Sequence, residues 1–236
     1  MRVEEEGNWD RYRQEFSRCR AQTPMANRNV YKKAVEILKD DIFSRDQLNI
    51  LVGGIASGFS AEEFIQLWQG LRKGSKDQLL FLDQDFRPLR EMQRLAGNFE
   101  RVVGKLEELP FRKASIDVIL LDFTLDFLSD PKLKCFLSGT KTVLKPDGIV
   151  IALIKDPVWP GLGNLKERIV FGVPSHMRTM SQYRRFIAPH FDVLYLGCTD
   201  RTGIFDSPEV GLIVFGQIST KSASRLGELP VCSIAA

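Results

Sequence analysis

From Leu48 to about residue 218, short apolar runs alternate with amphipathic stretches. The apolar runs lie at residues 48–54, 78–83, 99–105, 115–123, 148–156, 191–197 and 210–218. Between most of them, apolar side chains recur at helical spacing, at residues 60–74, 88–96, 133–143 and 181–187. Because strands joined through helices run parallel, the pattern predicts an α/β fold with a mostly parallel sheet and helices on both faces.

The connection between the last two apolar runs is different from the others. It has only about a dozen residues, TDRTGIFDSPEV, and shows no helical pattern. A parallel crossover needs a longer connection, so an antiparallel hairpin is favoured. The sequence therefore predicts seven strands, the last of them antiparallel.

The ends of the chain follow other patterns. Trp9, Tyr12 and Phe16 recur at helical spacing, and Pro24 interrupts that pattern before a second apolar stripe. This aromatic stripe would either pack against the sheet domain or cover its cleft. We expect three segments, namely an N-terminal helical extension at 1–47, the α/β domain at 48–218 and a flexible tail at 219–236.

Charge and cysteine content limit the classes of function. The chain has 33 Lys and Arg against 30 Asp and Glu, and this balance gives no sign of nucleic-acid binding. Four dispersed cysteines and two histidines make a zinc site unlikely and fit a reducing compartment. The charged N-terminus lacks a signal-peptide core, and no run approaches the roughly 20 apolar residues that a membrane span needs. We expect a soluble cytoplasmic protein with no bound metal.

A turn of small residues follows the first apolar run. It comprises Gly54, Ile55, Ala56, Ser57 and Gly58. Such a turn lets the backbone approach a ligand closely and aims helix N–H groups at it. A tight strand-to-helix turn also needs glycines for steric reasons alone, so this stretch by itself leaves both interpretations open.

An acid ends the second apolar run. Asp83 lies 25 residues after Gly58, where nucleotide-binding sheets place a carboxylate that accepts both ribose hydroxyls. The alternative is a helix N-cap or a solvated loop acid, and either Asp83 or Asp85 fits that description. The turn and the acid together favour a nucleotide-like ligand.

Three further motifs follow in order. They are Glu108-Leu109-Pro110-Phe111, Ile116-Asp117-Val118-Ile119 and Leu144-Lys145-Pro146-Asp147-Gly148. With these motifs, residues 48–218 resemble the class I methyltransferases, which have a Rossmann-like fold and use S-adenosylmethionine (SAM) as cofactor. The likeness is strongest to members that methylate small molecules.

The resemblance implies a role for each part of the cleft. Gly54 to Gly58 would wrap the methionine part of SAM, and Asp83 would hold the ribose hydroxyls. The remaining residues would flank the adenine (Gln84, Lys105, Leu106) or face the methionine and the substrate (Asp122, Phe123).

Two positions depart from the family pattern. Val52 stands where the first motif usually has an acid, and Lys105 replaces the acid that accepts from the adenine amino group. A lysine has only donors and cannot accept that hydrogen bond. The departures favour an alternative function, a non-catalytic methyltransferase-fold protein that acts as a regulatory or assembly partner.

Other enzyme classes fit less well. The turn is similar to that of short-chain dehydrogenases, but neither Tyr183 nor Tyr195 has the lysine four residues on that those enzymes use. Asp122-Phe123-Thr124-Leu125 is not an N-P-P-Y type motif, which disfavours methylation of nucleobase amines. The leading hypothesis is a SAM-dependent methyltransferase with an unidentified small-molecule substrate.

One histidine is a catalytic candidate. His176 lies in the long connection after the fifth strand, which often lines the substrate side in this fold. It would act as a general base, because histidine titrates near neutral pH. The alternative, a surface loop histidine, is the more common case.

Overall fold

The computed structural model describes residues 9–12, 14, 42–55, 58–92, 99–156, 161, 164–165, 168–169, 172–198 and 209–217. The strands are β1 (Asn49–Gly53), β2 (Gln78–Asp83), β3 (Phe99–Val103), β4 (Ile116–Asp122), β5 (Leu144–Asp156), β6 (Asp192–Cys198) and β7 (Glu209–Gly216). The helices are α1 (Gly58–Leu71), α2 (Phe86–Glu91), α3 (Asp130–Val143) and α4 (Met180–Ile187). Short 3₁₀ helices lie at Ile42–Ser44, Leu106–Glu108 and Thr124–Phe127.

The seven strands form one sheet in the order β3-β2-β1-β4-β5-β7-β6. Neighbouring strands from β3 to β5 are parallel, and β7 is antiparallel to both β5 and β6. Strand β6 therefore has the same direction as the first five. The predicted seven-stranded sheet and its antiparallel last strand are confirmed.

Successive residues of the central strands point to opposite faces of the sheet. Ile50 and Phe81 enter one apolar cluster together with Trp68 of α1. Leu51 enters the other cluster with Phe136 of α3. Because both faces are covered by helices, the central strands are apolar along nearly their whole length.

Strand β5 begins earlier than its sequence pattern predicts. Leu144 already pairs with Ile116, and the register then shifts before Val118 pairs with Ile149. Asp147 has a left-handed backbone, with a φ of 63°. Apolar character begins only after this irregular stretch, so periodicity alone placed the strand start four residues late, at Gly148.

Two of the family motifs meet at the amino ends of the strands. Asp117 of β4 is 2% exposed and accepts hydrogen bonds from Arg45 Nη1 at 2.9 Å and Lys145 Nζ at 2.6 Å. It also accepts from the backbone N–H of Asn49 at 2.9 Å. These motif residues therefore join β1, β4 and β5 at the edge opposite the candidate site.

The predicted domain boundaries at 47/48 and 218/219 remain predictions. The sheet itself runs from Asn49 to Gly216. The second N-terminal stripe and the tail at 219–236 lie outside the described residues. In the described part of the chain, no helix is both long and apolar enough to cross a membrane.

Candidate functional site

The candidate site lies at the carboxyl ends of the central strands. Strand order reverses between β1 and β4, because β2 and β3 lie on one side and β5 on the other. In open α/β sheets a crevice forms outside the carboxyl ends at such a switch point, where ligands bind. The structure brings the ends of β1, β2 and β4 together there.

The turn after β1 approaches the neighbouring loop closely. Gly54 has a φ of 72°, and its N–H donates to the carbonyl of Leu82 at 2.9 Å. The hydroxyl of Thr124, which follows β4, donates to the carbonyl of Gly53 at 3.0 Å. Ile55 is buried and Gly58 begins α1, while Ala56 and Ser57 lie outside the described residues.

Gly54→Ala should therefore be strained. A Cβ at this position would lie 2.3 Å from Cγ2 of Thr124, and the backbone conformation disfavours any side chain. We expect a loss of about 2 kcal/mol in the free energy of unfolding, measured by urea denaturation.

Gly70→Ala is the matched control for this substitution. Gly70 lies in α1, and no described atom lies within 4 Å of a Cβ built there. Alanine should stabilise that helix by up to about 1 kcal/mol. Equal effects of the two substitutions would contradict the close approach at Gly54.

Asp83 and Asp85 have different roles at the end of β2. Asp85 is the N-cap of α2 and accepts from the N–H of Arg87 at 2.9 Å. Asp83 is only 8% exposed, and its Oδ1 accepts from the N–H of Asp85 at 2.8 Å. The capping role thus belongs to Asp85. Gln84, between them, is exposed.

The two residues predicted to flank an adenine have opposite environments. Lys105 is exposed and precedes the 3₁₀ helix Leu106–Glu108. Leu106 is buried against the end of β1, because a Cβ on Gly53 would lie 2.8 Å from Cδ2 of Leu106. Val52 of β1 is half-buried and packs against the apolar cluster that contains Ile50.

The end of β4 contains an unusual backbone conformation. Asp122 is half-buried, and Phe123 has a φ of 55°. The N–H of Phe123 donates to the carbonyl of Leu153 in β5 at 3.0 Å. A left-handed aromatic residue is rare and costs free energy, and such residues concentrate at functional sites.

A buried polar network lies beyond β4 and β5, and the sequence did not predict it. Asp126 is fully buried; its Oδ2 accepts from the N–H of Lys155 at 2.9 Å and its Oδ1 from the hydroxyl of Tyr183 at 2.8 Å. Burial raises the pKa of Asp126 to about 7, although the hydrogen bond from Lys155 opposes that shift. Burial and the nearby carboxyl also raise the pKa of Tyr183.

His176 lies against this network through its backbone. Its N–H donates to the carbonyl of Asp126 at 2.6 Å, and its carbonyl accepts from Arg178 Nη1 at 2.8 Å. Partial burial and the Arg178 cation lower the pKa of His176. The imidazole is therefore largely neutral near pH 7, the state that a general base requires.

The first N-terminal residues lie over the same edge of the sheet. Trp9 and Tyr12 are helical and contact Phe127, with ring centroids 5.2 and 5.1 Å away. Asp10 forms an ion pair with Arg87 of α2. The sequence left open whether this stripe covers the cleft, and these contacts place its described residues at the cleft edge. Among the described residues, no group of acids, histidines and cysteines could hold a metal ion.

Residues 56–152 match a family described as "Methyltransferase domain". Comparison with curated protein sequences finds no significant match. Together with the fold, the domain match shows that the chain carries a class I, SAM-dependent methyltransferase domain.

Several solved structures share this fold at low sequence identity. A SAM-dependent methyltransferase from Methanosarcina mazei is 15% identical, with a TM-score of 0.57 over 74% of this chain and 94% of that chain. A Haloferax volcanii methyltransferase, solved with the Trm112 methyltransferase activator, is 14% identical, with a TM-score of 0.59 over 84% and 97%. Geranyl diphosphate C-methyltransferase from Streptomyces coelicolor A3(2), in complex with Mg²⁺, geranyl diphosphate and S-adenosyl-L-homocysteine, is 14% identical, with a TM-score of 0.55 over 79% and 77%.

Proposed function

We propose that this protein binds SAM at the carboxyl ends of β1 to β4 and transfers its methyl group to a small-molecule acceptor. The observation that carries the proposal is Asp83. This carboxylate is held by the N–H of Asp85 at the end of β2, while the capping role that would otherwise explain an acid here belongs to Asp85. The turn at Gly54 lies beside it, because the Gly54 N–H donates to the residue before Asp83.

The other predicted residues support the same assignment. Backbone atoms at Gly54 would contact the methionine part of SAM, since a side chain there has no space. Leu106 would offer an apolar surface to the adenine from its position near β1. Asp122 and Phe123 would face the methionine and the acceptor, where the left-handed Phe123 turns the chain away from β4.

The chemistry asks little of the protein beyond positioning. SAM, when bound, supplies an electrophilic methyl group on a sulfonium. The protein must hold the acceptor nucleophile in line with that methyl and exclude water, and such positioning accounts for much of the acceleration in reactions of this kind. Where the acceptor must lose a proton, His176 has the lowered pKa that keeps a base neutral and ready to accept it.

Calorimetric titration tests this proposal. The full chain is titrated with SAM and S-adenosylhomocysteine, with NADH and NADPH as controls. We expect micromolar binding of the first pair only. Binding of none of the four would overturn the proposal and favour the non-catalytic alternative, in which a protein partner is the ligand. Val52 and Lys105 are the residues consistent with that outcome.

Asp83→Ala should weaken S-adenosylhomocysteine binding about 100-fold. The substitution removes the charged acceptor for two ribose hydroxyls, and hydrogen bonds to a charged group contribute roughly 1.5–3 kcal/mol. Asp192→Ala is the control, because Asp192 is an exposed acid at the amino end of β6. Equal affinity of Asp83→Ala and the wild type would refute the ribose assignment.

A further inference from the structure

Lys155 lies beside aromatic rings at the end of β5. Its Nζ is 5.7 Å from the ring centroid of Tyr12 and 5.8 Å from that of Phe127. At these distances the ammonium interacts favourably with both ring faces. Lys155 is half-buried, so its ammonium is held in place while one side remains accessible.

Three rings form one aromatic cluster, comprising Trp9, Tyr12 and Phe127. All three pairs meet edge to face, with centroids 5.1 to 5.8 Å apart. Tyr12 is buried, whereas Trp9 and Phe127 keep exposed surface. The cluster therefore presents an apolar, ring-lined surface next to a cation.

The aromatic cluster lies at the edge of the sheet that carries the proposed SAM site. Phe127 ends the 3₁₀ helix that begins at Thr124, and Thr124 donates to the carbonyl of Gly53 in the turn after β1. Asp10, between Trp9 and Tyr12 in sequence, forms an ion pair with Arg87 beyond β2. The N-terminal residues thus extend along this edge between the ends of β2 and β5.

The backbone of Lys155 is fixed from below. Its N–H donates to Asp126, which also accepts the hydroxyl of Tyr183 from α4. Two acids of this region are already engaged, because Asp126 holds these donors and Asp10 pairs with Arg87. A fixed backbone and an ammonium oriented by two rings are the features of a prepared binding group.

We propose that Lys155 and the aromatic cluster bind the acceptor, and that the acceptor is a small aromatic carboxylate. Its ring would pack on Trp9 and Phe127, and its carboxylate would accept hydrogen bonds from the Lys155 ammonium. This inference rests on the proposed function, because it assigns the acceptor side of the same cleft.

The charge of the subsite separates a carboxylate from other acceptors. A cationic acceptor would be repelled by Lys155, and a neutral one would leave the ammonium without an anionic partner. A diphosphate carries more charge than one ammonium balances and is commonly bound with Mg²⁺. The described residues contain no acidic group of the kind that holds such an ion.

Fragment binding tests the subsite with benzoate as the probe and benzamide as its neutral isostere. Both are titrated into the full chain loaded with S-adenosylhomocysteine, and binding is followed by saturation-transfer NMR. We expect millimolar binding of benzoate and at least 10-fold weaker binding of benzamide. Lys155→Met, which keeps the alkyl stem against the rings, should weaken benzoate binding about 10-fold or more. Tyr12→Ala should weaken both probes.

Lys134→Met is the control, since Lys134 is an exposed lysine on α3, and it should leave benzoate binding unchanged. Three outcomes overturn the inference: no benzoate binding, equal binding of the two probes, or wild-type benzoate affinity in Lys155→Met. A loss of S-adenosylhomocysteine affinity in Lys155→Met, with benzoate unaffected, would also overturn it by assigning the lysine to the donor. Failure of the proposed function shows separately, as no S-adenosylhomocysteine binding by the wild type.

Discussion

Asp77→Ala is expected to lower the free energy of unfolding by about 3–5 kcal/mol, because it removes one partner of a buried ion pair. The side chains of Arg72 and Asp77 are 8% and 4% exposed, with Nη2 and Oδ1 2.9 Å apart. Asp77 also accepts from the indole N–H of Trp68 and the backbone N–H of Leu48, both at 2.8 Å. Alanine would leave the guanidinium and both N–H groups without this acceptor.

Urea unfolding followed by circular dichroism measures the loss, and melting should fall by on the order of 10 °C. Burial alone would raise the pKa of Asp77, but the hydrogen bonds from Arg72 and Trp68 outweigh it and lower the pKa below its usual value of 3.8. The stabilisation is therefore present above pH 4 and is lost as pH falls through the native pKa. Asp192→Ala serves again as a surface control, and a loss below 1 kcal/mol for Asp77→Ala would contradict the prediction.

Asp126→Asn is expected to change how stability depends on pH. The native pKa of about 7 lies above the ordinary value of 3.8, so between these values the folded chain binds more protons than the unfolded chain. The wild type should therefore lose stability from this group as pH rises from 4 to 7, by on the order of 4 kcal/mol. Asparagine has the same shape but does not titrate, so this part of the dependence should disappear.

The measurement is urea unfolding of both proteins at pH 4 to 8, where groups that are unaffected by the substitution cancel in the difference. Asp126→Ala provides the contrast. It leaves the Tyr183 hydroxyl and the Lys155 N–H without their acceptor, so it should destabilise the protein at every pH by about 2–4 kcal/mol. Parallel stability curves for Asp126→Asn and the wild type would show that the carboxyl does not titrate as its burial requires.

Local signals in the sequence predicted most of the fold. Strand β2 was predicted at its observed bounds, because an apolar run between a polar turn and Asp83 leaves few alternatives. The antiparallel β7 followed from the shortness of one connection. Gly54 and Asp83 were found for the same reason, since each ends a strand and the carboxyl ends of parallel strands meet at one edge.

The buried network could not be found in this way. Asp126 and Tyr183 are 57 residues apart and have no shared pattern, and a single acid after a strand reads as a solvated loop residue. The ion pair between Asp117 and Lys145 was likewise hidden, although both residues lie in recognised motifs. Pairs at such separations become neighbours only when the sheet is assembled, so they require the three-dimensional structure.

The position of β7 has a consequence for how the chain folds as it is synthesised. This strand is made last of the seven, yet it lies between β5 and β6 and bonds to both. Until it emerges from the ribosome, β6 has no place in the sheet and the apolar β5 presents an open edge. Open apolar edges recruit other chains. We therefore expect nascent chains to depend on chaperones until residue 216 has been added.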